Sequence, residues 1–76
     1  MNKAQYFSYY REDKETHKKD YLRTNMFNDP ALEWVASIDQ ADKYSSYDSF
    51  LNNAKAFKLE DLVDVDKYVY DFEEVA

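Results

Sequence analysis

The hydrophobic pattern changes period along the chain, and each change marks an element. Between Ala4 and Arg11 the aromatics Tyr6, Phe7, Tyr9 and Tyr10 crowd into a short run of strand-forming residues. A charged stretch from Glu12 to Lys19 follows, and Tyr21, Leu22, Thr24, Met26 and Phe27 then restore the β-prone character. Two such runs around a polar connector predict a hairpin, with a connector longer than the favoured two-residue turn. Asn28-Asp29-Pro30 breaks the pattern, because Asn and Asp favour turns and Pro removes a backbone donor. Leu32, Trp34, Ala36 and Ile38 next alternate with Glu33, Val35 and Ser37, a period of two that predicts a third strand with one buried face. A helix opening after Pro30 is the competing reading.

Asp39 is placed to cap a short helical turn through Gln40, Ala41, Asp42 and Lys43. Ser45 or Ser46 then caps a helix to about Phe57, in which Tyr47, Phe50, Leu51, Ala54 and Phe57 form one apolar stripe. Lys55 and Lys58 lie near its C-terminal end, where the helix dipole favours cations. A last strand is predicted from about Leu62 to Val75. Its phase shifts midway, since Val63 and Val65 share one parity and Tyr68, Tyr70 and Phe72 the other. A β-bulge near Lys67 would reconcile the two, as would burial of both faces. The order strand, strand, strand, helix, strand predicts an α+β fold: a small antiparallel sheet of three to four strands with one main helix packed on one face.

Composition narrows the classes. The 76 residues allow a single domain, 1–76, that buries roughly 60% of its extended-chain surface on folding. With no cysteine, neither disulfides nor thiolate metal sites staple the fold, so the core must come from eight Tyr, five Phe and Trp34. The absence of glycine excludes phosphate-cradling and dinucleotide loops, which need it for tight turns and close approach. Positive-φ positions are then expected to fall to Asn or Asp. No apolar run approaches the roughly 20 residues of a membrane span, and no signal-peptide pattern is visible, so a cytoplasmic protein is expected.

Charge is distributed unevenly. The first 59 residues hold nine acids and nine Lys+Arg and are neutral. From Glu60 onward seven acids (Glu60, Asp61, Asp64, Asp66, Asp71, Glu73, Glu74) face one base, Lys67, so the whole net charge of −6 lies in this segment. Val63, Val65, Tyr68, Val69, Tyr70 and Phe72 run through the same stretch, and a disordered acidic tail would lack them. On a strand, same-face residues lie about 6.8 Å apart, so Asp64 and Asp66 are expected to begin a charged row. Such a row repels nucleic acid and suits a basic protein surface. The plainer reading is that the acids protect a sheet edge and keep a small protein soluble. Exposed tyrosines beside carboxylates also suit a protein interface, although core filling explains most of them singly.

Catalytic and metal readings find less support. His17 is the only histidine, has no Cys or second imidazole to partner it, and lies in a polar loop where a solvated side chain is expected. Asp64 and Asp66 resemble the start of a calcium loop, but Val69 and Val75 stand where its turn residue and bidentate carboxylate belong. With sixteen acids, carboxylate pairs arise by chance and indicate no acid–base chemistry. No enzyme activity, metal or cofactor is expected.

The Tyr-rich first strand, the Trp34 strand, Ile38 with Ala41, the Ser46-Tyr47 helix start and the Val-rich acidic end together resemble small acidic α+β proteins of Gram-positive phages and prophages. The motifs are packing and capping patterns, so no catalytic residue carries over. The resemblance implies an accessory protein acting in a host cytoplasm, and some compact acidic phage proteins inhibit DNA-binding enzymes by mimicking DNA. The expected partner is therefore a basic surface on a host nucleic-acid-binding protein, with no direct nucleic-acid or membrane contact. The expected binding residues are Glu60, Asp61, Asp64, Asp66, Tyr68, Tyr70, Asp71, Glu73 and Glu74. The alternative is a structural or regulatory protein that forms a homodimer through a Tyr-rich sheet.

Overall fold

The computed structural model describes residues 5–75. Four strands, β1 (Tyr6–Asp13), β2 (Lys19–Thr24), β3 (Leu32–Val35) and β4 (Tyr68–Val75), form one antiparallel sheet in the order β3-β2-β1-β4. Helix α1 (Tyr47–Ala56) lies between β3 and β4 in the chain. The predicted α+β architecture is the one observed.

Local chemistry sets the boundaries, and several differ from the pattern-based expectation. Ala4, the expected start of the first strand, lies outside the described residues. β1 runs on through Glu12 to Asp13, because charge on a side chain does not stop a backbone from pairing. What stops it is the Asp13 carboxylate, whose Oδ1 accepts from the amides of Glu15 (2.8 Å) and Thr16 (3.0 Å). Those two bonds hold the carboxyl below the usual range of an aspartate. His17, at φ 62°, closes the turn. At the other end of the hairpin, β2 stops at Thr24 and leaves Met26 and Phe27 out of the expected strand. Asn25 diverts the chain there: its side-chain oxygen accepts from the Phe27 amide (3.1 Å) and its carbonyl from Asn28 (3.0 Å).

β3 ends at Val35 rather than Ile38, because Ser37 caps a 3₁₀ turn, Ile38–Gln40, through the Asp39 amide. The expected Asp39-capped turn through Lys43 does not form. Instead Ala41–Tyr44 runs as a wedge between β1 and β2. Phe7 and Tyr44 exchange both backbone hydrogen bonds (3.0 and 2.8 Å), and the Asp42 amide donates to Leu22 (3.1 Å). The Asp42 carboxylate accepts from the Thr24 amide (2.7 Å) and hydroxyl (2.5 Å), while its carbonyl accepts from the fully buried Ser8. Backbone groups of Phe7, Leu22 and Thr24 that the parting of the two strands exposes thus find partners on Asp42 and Tyr44.

Helix α1 forms where the stripe predicts, with the Ser46 hydroxyl accepting from the Ser49 amide. Phe50 is buried, and Leu51, Ala54 and Phe57 pack against the same cluster of Leu22, Leu32, Tyr44 and Leu59. Tyr47, the first member of the stripe, is 53% exposed. Past the helix Lys58 takes a left-handed conformation, φ 56° and ψ 54°. The positive-φ residues described are thus His17 and Lys58, not the Asn or Asp expected. At a helix end and a tight turn, the surrounding hydrogen bonds outweigh the modest cost of this conformation to a residue with a Cβ.

The last strand is shorter than predicted. Leu59–Leu62 is a 3₁₀ turn, and residues 63–67 form a turn that ends where Tyr68 opens β4. β1 and β4 pair without a bulge, from Tyr6 opposite Val75 to Asp13 opposite Tyr68. The phase shift has a simpler cause than a bulge: Val63 and Val65 do not belong to the strand.

Candidate partner-binding surface

Registration of the sheet sorts the side chains of β4. Tyr68, Tyr70 and Phe72 share the face of Phe7, Tyr9, Leu22 and Trp34, beneath helix α1, while Val69, Asp71 and Glu73 lie on the opposite face. Tyr68 and Tyr70, expected at an interface, are half-buried parts of an aromatic array. Tyr70 stacks on Tyr9 (6.0 Å between ring centres) and packs on Trp34 (5.9 Å). Its hydroxyl accepts from the Asp64 amide (2.7 Å). Tyr68 covers the Arg11 guanidinium at 4.1 Å, with Trp34 at 4.6 Å from the same group. Arg11 also pairs with Asp20 (3.2 Å). Burial pushes the phenols of Tyr9 and Tyr44 up to about 12, because a charged phenolate would lose its hydration there.

The seven C-terminal acids do not form one row. Asp64 and Asp66 fall in the turn before β4, so the expected charged row that begins with them on a strand is absent. Asp64 is moreover a local structural residue: its Oδ1 accepts from the amides of Asp66 (3.1 Å) and Lys67 (3.3 Å). Glu60 and Asp61 sit on the 3₁₀ turn, with Asp61 beside Asp29 in an open cleft that Asn28, Pro30, Phe57, Lys58 and Leu62 also line. That cleft lies between the β2–β3 loop and the end of α1 with its following 3₁₀ turn, away from β4. Glu73 is tied within the molecule, accepting from Lys19 (3.0 Å) and from the Tyr21 hydroxyl (3.2 Å). This contact with Glu73 raises the Lys19 ammonium above its ordinary range. Asp71 and Glu74 remain exposed along β4.

β4 is an edge strand, and its outward backbone is partly occupied. Lys14 donates to the Lys67 carbonyl (3.0 Å), which continues the β1–β4 register and turns the amides of Tyr68, Tyr70, Phe72 and Glu74 away from β1. Tyr68 donates to the Asp64 carbonyl (3.0 Å), and Phe72 to the carboxylate of Asp71 (2.8 Å). Acidic side chains here protect an edge as well as charge it.

His17 is exposed in the hairpin turn, with Nδ1 3.3 Å from Glu12. Among the described residues no group of three or more His, Asp or Glu side chains converges as a metal site. No helix of the described residues is long and apolar enough to cross a membrane. Compared with protein-family models, curated proteins and solved structures, the chain matches none.

The structure also presents a surface that strand patterning hid. Met26 is 69% and Phe27 100% exposed, at the tip of the β2–β3 turn. The bracketing asparagines Asn25 and Asn28 were the available signal, because they mark a turn where hydrophobicity alone suggests a strand.

Proposed function

We propose that this domain is a binding protein, an accessory factor that engages a basic surface on a protein partner. A nucleic-acid-binding site on a host protein is the leading target. The observation that carries the reading is the fate of the C-terminal acids. Glu60, Asp61, Asp66, Asp71 and Glu74 are exposed and form no ion pair among the described residues. Lys14, Lys18, Lys43, Lys55, Lys58 and Lys67 form none either, but only Lys67 of these bases lies in the C-terminal segment with the acids. The surplus charge is left to solvent. Dispersed over the 3₁₀ turn, the preceding turn and β4, these acids suit a broad basic surface better than a narrow groove. They would steer encounter more than supply affinity.

The test replaces Asp66 and Asp71 by Asn and Glu74 by Gln together. Asn at position 71 keeps an oxygen for the Phe72 amide, so the fold is expected to persist. Partner capture is expected to fall, with a weaker dependence on salt than the parent shows. An unchanged affinity and salt response in the folded variant would remove the acidic surface from consideration.

A further inference from the structure

Phe27 and Met26 expose their side chains on a backbone that is firmly held. The Asn25 amide donates to the Ala31 carbonyl (2.7 Å), and the Asn28 amide to the Asn25 carbonyl (3.0 Å). The side-chain amides of Asn25 and Asn28 both donate to the Glu33 carboxylate (3.2 and 3.1 Å). Glu33 in turn lies 3.7 Å from Arg23. These polar contacts order the turn without help from the two apolar side chains, which contribute nothing to the core. Large apolar side chains displayed on a preordered backbone are what an interface anchor requires, since little conformational freedom remains to be lost on binding.

We infer that the Met26–Phe27 tip is the anchor of a protein interface, inserted into an apolar pocket of the partner whose rim carries Lys or Arg. The inference rests on the reading of the domain as a binder of a basic protein surface, and charge selects the occupant. Asp29 adjoins the tip, and the cleft beside it carries Asp61 with Glu60 next in sequence, against the single base Lys58. An anionic membrane surface would be repelled by this rim and by a net charge of −6. A second copy is disfavoured likewise: the apolar groove of Phe7, Tyr47 and Phe72 that could receive the tip is bordered by Glu74, so acid would meet acid. A basic-rimmed pocket satisfies both the apolar tip and its acidic border.

The experiment places photoreactive benzoylphenylalanine at position 27 of the full chain, with Asn52 on helix α1 as the control position, and irradiates each in bacterial lysate. Expected is a protein crosslinked from position 27 and not from 52. Once purified, that protein is titrated with the parent, with Met26→Ala/Phe27→Ala, and with the Asp66→Asn/Asp71→Asn/Glu74→Gln variant. Loss of an interface anchor predicts binding roughly thirtyfold weaker for the alanine pair, with the parent's salt dependence retained. No position-specific crosslink, a crosslink between two copies of this chain, or an unchanged affinity of the alanine pair overturns the anchor. If only the acid variant loses affinity, the anchor fails and the acidic surface stands. If only the alanine pair loses it, the acidic surface fails and the anchor stands.

Discussion

Helix α1 and the β2–β3 turn each hold a phenylalanine on well-braced backbone, yet dispose of it in opposite ways. Phe50 is 5% exposed and meets the rings of Tyr9, Tyr44 and Phe72 at 4.7, 5.4 and 5.0 Å between centres, whereas Phe27 is 100% exposed. In the helix, side-chain packing justifies the backbone: α1 has only ten residues, too few to be stable alone in water, and persists because its apolar stripe is covered. In the turn the reverse holds, since polar side chains justify the backbone and the apolar ones are left over. The difference separates residues kept for folding from residues whose presence folding does not explain.

Phe50→Ala gives the largest expected effect. Removing a buried ring from a close-packed aromatic cluster costs about 3–5 kcal/mol, most of the stability of a domain this small. Denaturant unfolding or a thermal melt should show it, and a midpoint equal to the parent's would mean that the helix does not rest on Phe50. Alkali should attack the same cluster. The Tyr9 and Tyr44 phenols stand at about 12 in the folded state against 10 for an ordinary tyrosine. Folding therefore favours their neutral form. That contribution is full below pH 10 and is lost as the pH rises through 12. Absorbance titration of the phenolates, followed with circular dichroism, should show late-titrating tyrosines that ionise together with unfolding. Ionisation of every tyrosine near 10 in a folded protein would contradict their burial.

Legibility in the sequence follows the range of the interactions involved. Helix α1 was readable because its stripe and its Ser46 cap act within four residues of one another. The sheet was readable as a class, since aromatic and β-branched runs between turn signals leave few alternatives. Strand ends were not, because single polar side chains decide them: Asp13, Asn25 and Asp64 each capture a following amide and turn chains whose hydrophobicity favours continuation. The Asp42 wedge was invisible, since it joins Asp42 to Ser8, Leu22 and Thr24, far away in sequence. The candidate site was half legible for the same reason. Its excess of acid is a matter of counting. That Glu73 is spent on Lys19 and Tyr21, while Asp71 and Glu74 stay exposed, depends on sheet register.

The turn's polar brace can be tested next. Glu33→Ala removes the acceptor of both asparagine amides and the partner of Arg23. A partly exposed charged acceptor of this kind is worth roughly 1–2 kcal/mol. The loss should be accompanied by faster amide hydrogen exchange confined to residues 25–31. Uniform exchange throughout the domain would show that the turn is not braced as a separate unit. Asp71→Ala should cost less, about 0.5–1 kcal/mol for one exposed hydrogen bond. Its clearer sign should be concentration-dependent association, because the edge then offers a free Phe72 amide and one charge fewer. Sedimentation showing a monomer at all concentrations would assign Asp71 no protective role.

Phe27→Ala carries the smallest expected effect on stability and sharpens the comparison most. A side chain that touches nothing in the folded state loses no packing when truncated, so the change should stay within about 0.5 kcal/mol. The ring is hydrated in the folded and the unfolded chain alike, so its removal cancels in the difference between them. Measured beside Phe50→Ala, the same substitution chemistry then reads near zero at one site and several kcal/mol at the other. A loss above about 1 kcal/mol at position 27 would place the ring against the domain in solution and remove the basis for treating the turn as a display. A melt unchanged from the parent's, with partner binding lost, would separate stability from function at a single residue. That outcome requires a second molecule to cover what this fold leaves bare.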